Sequence, residues 1–144
     1  MGQYLRRKGT RSRTAQALKR PLLLDTSFLI ELERETASRE LGPARRFLSS
    51  LTGRRVVVSI VCVEELLEGA TDEATAMAFL LRFSIQGVQL AQARRCALLQ
   101  RRASHRLGEN DAWLVATAQT LDADVVGADR AAFGRLGPRY LRFR

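Results

Sequence analysis

One histidine, two cysteines and one tryptophan in 144 residues leave several kinds of chemistry without material. A Ser-His-Asp triad would depend wholly on His105, which lies in an arginine-rich polar segment and reads as an exposed side chain. Cys62 and Cys96 stand far apart and make no zinc-binding spacing. Both lie in apolar surroundings, so two buried thiols in a reducing compartment are expected rather than a disulfide. The chain has no GxxxxGK[ST] loop and no GxGxxG, which removes support for a nucleotide cofactor. No apolar run approaches the ~20 residues that a membrane-crossing helix requires. The start, MGQYLRRKGTRSRTAQALKR, is basic but lacks the apolar stretch of a secretory signal, so a cytoplasmic location is expected.

Acids are missing from one place in particular. Residues 1–20 carry Arg6, Arg7, Lys8, Arg11, Arg13, Lys19 and Arg20 with no Asp or Glu, so they hold +7 of the net +9. The remaining chain, with 17 basic and 15 acidic residues, holds +2. The expected organisation is a basic arm over 1–20, either a disordered solvated extension or an attachment for polyanions, and one globular domain over 21–144. The 46% apolar and 27% charged composition is ordinary for such a domain. The body has its own basic cluster, Arg94, Arg95, Arg101, Arg102 and Arg106.

What is present is organised around PLLLDTSFLI, residues 21–30. Three leucines fit a short strand buried on both faces, as in a parallel sheet. Asp25 follows at the strand's carboxyl end, the edge where open α/β sheets place their sites. Further along, Phe28, Leu29 and Leu32 suggest a short helix followed by a charged connection through Arg39. Pro43 opens a helix closed by Gly53, and Val56–Ser59 forms a second strand. A helix begins near Ile60, and another near Thr71-Asp72-Glu73 uses Met77, Leu80 and Leu81. A third strand lies within 83–90, then a long helix ends before Gly108, and Asn110-Asp111 opens the helix over Ala112–Leu121. Trp113, inside that apolar helix, is expected in the core rather than stacked on a base. Asp124–Gly127 is a strand, Asp129 caps a short helix ending near Gly134, and Tyr140–Phe143 alternates like an edge strand. The alternation predicts an α/β fold of three layers, α/β/α, around a mostly parallel sheet of four to five strands.

The chemistry rests on acids. Asp25, Asp111 and Asp129 each sit where an Asp caps a helix or complements its dipole. Asp25 and Asp129 both follow a strand and should share the carboxyl edge. Clustered carboxylates repel and raise one another's pKa, and no basic residue lies within two positions of Asp25 or Asp111. A hard cation such as Mg²⁺ or Mn²⁺ resolves that clash. Glu64 or Glu65 is a fourth candidate, and periodicity does not choose between them.

LLLDTSFLIEL, VSIVCVEELLEG, ENDAWLVATA and VVGADRAAF, in this order, resemble the PIN-domain ribonucleases, most of all the VapC-like toxins of type II toxin–antitoxin pairs. The resemblance covers about Leu22 to Phe143. It implies Asp25, Asp111 and Asp129 as metal ligands, and it selects Glu65 as the fourth catalytic acid, because Leu66 and Gly69 follow it as in the family's Glu-Leu-x-x-Gly. It also implies that Thr26 or Ser27 orients Asp25 or a bound water, and that Asn110 lies near the substrate. The implied activity is Mg²⁺- or Mn²⁺-dependent endoribonuclease hydrolysis, with Arg94, Arg95, Arg101, Arg102, Arg106 and Arg130 holding the RNA backbone. A cognate antitoxin, a homodimer and no membrane association are the implied partners. One position departs from the family: Gly127 replaces the usual hydroxyl residue two before the last Asp. Two rivals remain: a signalling receiver, and a catalytically silent PIN-like RNA-binding protein.

Overall fold

The computed structural model describes residues 20–128 and 134–144. Asp129 and Arg130, and all of the basic arm except Arg20, lie outside the described residues.

Five strands form one sheet: β1 (Leu22–Leu24), β2 (Val56–Ser59), β3 (Ser84–Gln86), β4 (Asp124–Gly127) and β5 (Tyr140–Arg142). Their order is β3-β2-β1-β4-β5, and every neighbouring pair is parallel. The layers are α/β/α, with the helices α1 (Thr26–Ser38), α2 (Pro43–Ser50), α3 (Ile60–Glu68), α4 (Glu73–Leu80), α5 (Leu90–Arg102) and α6 (Glu109–Leu121). The central position of β1 explains its composition. Leu22, Leu23 and Leu24 are fully buried, with β2 on one side and β4 on the other. A strand covered on both faces has no use for alternating polar residues. The chain leaves β1 for β2 on one side and reaches β4 only later on the other. The β1–β4 crevice is therefore the switch point, where open α/β sheets bind ligands. A receiver domain has the order 2-1-3-4-5, so the sheet order excludes that rival.

Some element boundaries differ from those expected. The first helix is not short. It runs thirteen residues, and the charged stretch expected as a connection continues the helix, with Glu35 on its buried side, until Arg39 ends it in the left-handed region at φ 57°. Its inner face buries Phe28, Leu29 and Leu32, and Phe28 meets Phe143 edge-on at 4.8 Å between ring centroids. That contact ties the carboxyl-terminal segment to the start of the fold. Leu81 is not a core residue of α4; it follows the helix and is 67% exposed. α6 starts at Glu109 with Gly108 as its cap residue, so Asp111 lies inside the first turn rather than before it. The short helix expected from Asp129 to near Gly134 lies outside the described residues apart from Gly134, and a 3-10 helical segment covers Gly134–Arg139.

Candidate active site

Asp25 occupies the N-cap position of α1, but its side chain does not cap in the ordinary way. An N-cap side chain normally accepts from the second or third helical N–H. Ser59 does so toward Val61, and Asp72 toward Ala74 and Thr75. Asp25 instead accepts only the adjacent Thr26 N–H, at 2.7 Å on Oδ1. Its Oδ2 accepts the Ser27 hydroxyl at 2.8 Å. The carboxylate is thus turned toward the sheet edge instead of over the helix amides. Its backbone N–H donates to Val126 O at 2.9 Å, which pins it at the β1–β4 crevice.

Of the two glutamates on α3, only Glu65 points into this site. The Thr26 hydroxyl donates to Glu65 Oε1 at 3.2 Å, whereas Glu64 is exposed and has Glu68 as its charged neighbour. Asp111 is exposed, with its carboxylate beside Gly108, and it acts electrostatically on Asp25. Burial pushes the Asp25 carboxyl up to about 6. The Ser27 and Thr26 hydrogen bonds oppose that shift, while the Asp111 and Glu65 charges add to it. Three acids far apart in sequence therefore share one site. Cys62 lies beside them, and burial pushes its thiol up to about 12, with Thr26, Asp25 and Glu65 as neighbours. Both cysteines are free and buried.

Oxygen donors of this kind suit a hard divalent cation. No ion pair to Asp25 or Glu65 offsets their charge among the described residues. Also among the described residues, no three acidic, thiol or imidazole groups are already drawn into a single coordination sphere. The chemistry of the donor set fits a cation, and the two oxygens of Asp25 are engaged by protein groups.

The remaining expected residues divide. Asn110 is exposed on the first turn of α6, beside Asp111. Arg94, Arg95, Arg101 and Arg102 are exposed on α5, and three of them line one shallow groove with Ala91, Leu98 and Thr120. None of the four is ion-paired among the described residues, whereas Arg106 is held by Glu109 at 2.9 Å. Gln92 bonds Thr120 and Gln100 bonds Leu107, so α5 and α6 run antiparallel. The Arg101–Arg102 end of α5 thus lies alongside the end of α6 that carries Asp111. His105 is exposed, and Trp113 is half-buried against Cys96, Ala112 and Ala116.

Gly127 is the site residue whose role the sequence did not show. A Cβ there would lie 2.7 Å from Asp25 Oδ2 and 3.0 Å from Asp25 Cβ. The available signal was a glycine ending an otherwise apolar strand, which often marks a close approach of another group.

Residues 22–137 match the family model described as PIN domain. Similar solved structures include a toxin–antitoxin complex from Klebsiella pneumoniae, with TM-score 0.70 and 22% identity over 85% of this chain and 98% of that one. DNA-bound VapBC from Salmonella typhimurium matches with TM-score 0.68 and 19% identity, over 87% and 99%. VapBC2 from Rickettsia felis, bound to a DNA fragment from its promoter, matches with TM-score 0.66 and 16% identity, over 84% and 96%. No curated protein sequence matches the chain significantly.

Proposed function

The chain belongs to the PIN domain family, and from that premise we propose that it is a metal-dependent endoribonuclease and the toxin of a toxin–antitoxin pair. The observation that carries the reading is the convergence of Asp25, Glu65 and Asp111 at the β1–β4 switch point, with Asp25 pushed up to about 6. A purely structural carboxylate would be expected to cap the second or third helical N–H or to pair with a base, whereas Asp25 caps only the adjacent Thr26 N–H and has no ion-pair partner among the described residues.

Asp25 and Asp111, with Asp129, would hold Mg²⁺ or Mn²⁺, and Glu65 would complete the acidic set. When bound, such a cation activates water and offsets charge on the scissile phosphate. The chain's own residues prepare the site. Thr26 holds Glu65 by its hydroxyl, and Ser27 and the Thr26 N–H hold the two oxygens of Asp25. The arginines of α5 supply backbone contacts that fix the RNA without reading its sequence. The similar solved structures are described as toxin–antitoxin or VapBC complexes, which supports an antitoxin partner. A homodimer follows from the same family reading.

The test is incubation of an RNA pool with purified protein in Mg²⁺, Mn²⁺ or EDTA, beside Asp25→Asn and Asp111→Asn. Cleavage should require the metal, and each variant should lose at least about a hundredfold in rate while still binding RNA. Cleavage that persists in EDTA would place the chemistry elsewhere. Tight RNA binding without cleavage, from folded protein free of antitoxin, would favour the silent RNA-binding module.

A further inference from the structure

On the basis of the nuclease reading above, we propose that the groove between α5 and α6 is a second RNA site, remote from the acids. It grips single-stranded RNA about three nucleotides away from the scissile bond, on one side of the cut only.

The groove has a volume of about 470 Å³ and is lined by Ala91, Arg94, Arg95, Leu98 and Arg101 of α5 and by Thr120 of α6. Arg94, Arg95 and Arg101 are exposed, and none of them is ion-paired among the described residues. Elsewhere on the surface arginines are matched: Arg34 by Glu31 and Glu40, and Arg106 by Glu109. The cause lies in the sequence. Residues 74–108 contain six arginines and no Asp or Glu. They hold +6, the first twenty residues hold +7, and all the rest together hold −4 of the net +9. On α6 the acids stop at Asp111. The next one, Asp122 just past the helix, is held by Arg139 at 2.7 Å and Arg20 at 3.8 Å. A groove of one sign without internal counter-charge concentrates a polyanion.

Position decides which part of the RNA the groove meets. Gln92 bonds Thr120, so the Ala91–Arg95 end of α5 lies against the end of α6 that is far from Asp111. Arg101, at the other end of the groove, lies toward Asp111. Arg94 and Arg101 are seven positions apart on one helix, about 10 Å along its axis. At about 3.4 Å per stacked nucleotide, Arg94 and Arg95 meet the strand about three nucleotides after it has left the acids. The groove leads away from the acids in one direction, so only one flank of the cut can use it. Leu98, half-buried between the arginines, selects the form of RNA. In a duplex the bases face inward and the apolar surface goes unused. A single strand can lay a base on Leu98 while its phosphates meet the arginines.

The experiment uses antitoxin-free protein and a labelled single-stranded RNA that extends well past the groove on both sides of its mapped cut. Versions ending just beyond the cut on one side or the other, and a fully paired duplex, are run beside it. The parent is compared with Arg94→Gln/Arg95→Gln and with Arg46→Gln/Arg82→Gln, which removes the same charge from exposed positions outside the groove. Cleavage in Mn²⁺ gives kcat/KM, and fluorescence anisotropy in EDTA gives affinity for uncut RNA. On the long RNA, Arg94→Gln/Arg95→Gln should lose at least about tenfold in both. Its plot of log affinity against log salt should flatten by about 1.4 units, at roughly 0.7 per single-strand phosphate contact. Arg46→Gln/Arg82→Gln should lose less than about threefold. Shortening the RNA on one side should cost the parent about tenfold and Arg94→Gln/Arg95→Gln less than about twofold, because those contacts are already gone. Shortening on the other side should cost both proteins alike. The duplex should bind the parent at least about tenfold more weakly than the single strand. Equal losses for Arg94→Gln/Arg95→Gln on the long and both shortened RNAs, a loss no larger than that of Arg46→Gln/Arg82→Gln, or equal binding of the duplex would each overturn the proposal. A parent that binds RNA with this dependence on Arg94 and Arg95 but cuts none overturns the nuclease reading and leaves the groove standing. A parent that binds no RNA overturns both.

Discussion

Asp25 is held where a negative charge is least comfortable: buried, and facing two other carboxylates. Its folded pKa of about 6 lies above the ordinary 3.8, so the folded state holds this proton more tightly than the unfolded chain does. The stability this confers is fully present below about pH 4 and is lost as the pH rises through about 6. A shift of roughly two units corresponds to about 3 kcal/mol. In urea denaturation of the metal-free protein, the stability difference between parent and Asp25→Asn should therefore open across that window. The variant should be the more stable at pH 8 by about 2 kcal/mol. Mn²⁺ should close the gap by stabilising the parent alone. A gap that does not change between pH 4 and 8 would show that Asp25 is not desolvated as described. Cys62 makes the companion case. With its thiol pushed up to about 12 by burial, it should resist iodoacetamide at pH 8 in the folded protein and label fully in urea.

Among the elements, α2 depends on a residue outside it. Its cap residue, Gly42, has no side chain to offer. Glu35, fully buried at the end of α1, supplies the cap by accepting the N–H groups of Ala44 at 3.0 Å and Arg45 at 2.9 Å. A buried carboxylate is tolerable there because it meets two donors and the positive end of a helix. Glu35→Ala should destabilise by about 3 kcal/mol. Gly42→Ala should also destabilise, since its Cβ would lie 2.5 Å from Glu35 Cδ. Chemical denaturation tests both, and a loss below about 1 kcal/mol for Glu35→Ala would remove the capping role. The α5 face makes a different prediction. Replacing Arg94, Arg95 and Arg101 by Ala should weaken RNA binding and flatten the plot of log affinity against log salt by about two units, at roughly 0.7 per single-strand phosphate contact. An unchanged slope would take RNA off that helix.

For the whole molecule, the two edges of the sheet carry opposite arrangements. The carboxyl edge gathers acids. At the amino edge, Asp124 is buried at the start of β4 and meets Arg54 at 2.6 Å, with Arg139 at 3.5 Å and Arg20 at 3.9 Å. Arg20, counted in the basic arm from sequence, is thus part of the fold. Arg54 also donates to the Arg20 carbonyl at 3.0 Å, which joins the entry to β1 with the entry to β4. Removing one partner of a buried pair strands the other charge, so Asp124→Ala should cost about 3 to 5 kcal/mol. Its effect on RNA cleavage at temperatures where it stays folded should be small, because it lies at the opposite edge from the site. A loss of cleavage from a fully folded variant would contradict that separation.

The sheet was legible in short apolar runs such as Leu22–Leu24 and Val56–Val58, bounded by turn residues and alternating with helical patterns, because a strand covered on both faces needs no polar alternation. The sequence by itself also located Asp25 at the carboxyl edge and, through the resemblance, singled out Glu65, whose contact with Thr26 the structure shows. Periodicity could not make that choice, since adjacent helical residues differ only by direction and the direction is set by what α3 packs against. Tertiary structure alone decided the rest. The buried Glu35 looked like one more charge on a solvated stretch, because its partners lie on another helix. Gly127 looked like a missing hydroxyl until β4 was laid beside β1 and the space proved to belong to Asp25. Local residue patterns specify what a segment wants to bury; which distant segment fills the space beside it is fixed only when the strands pair.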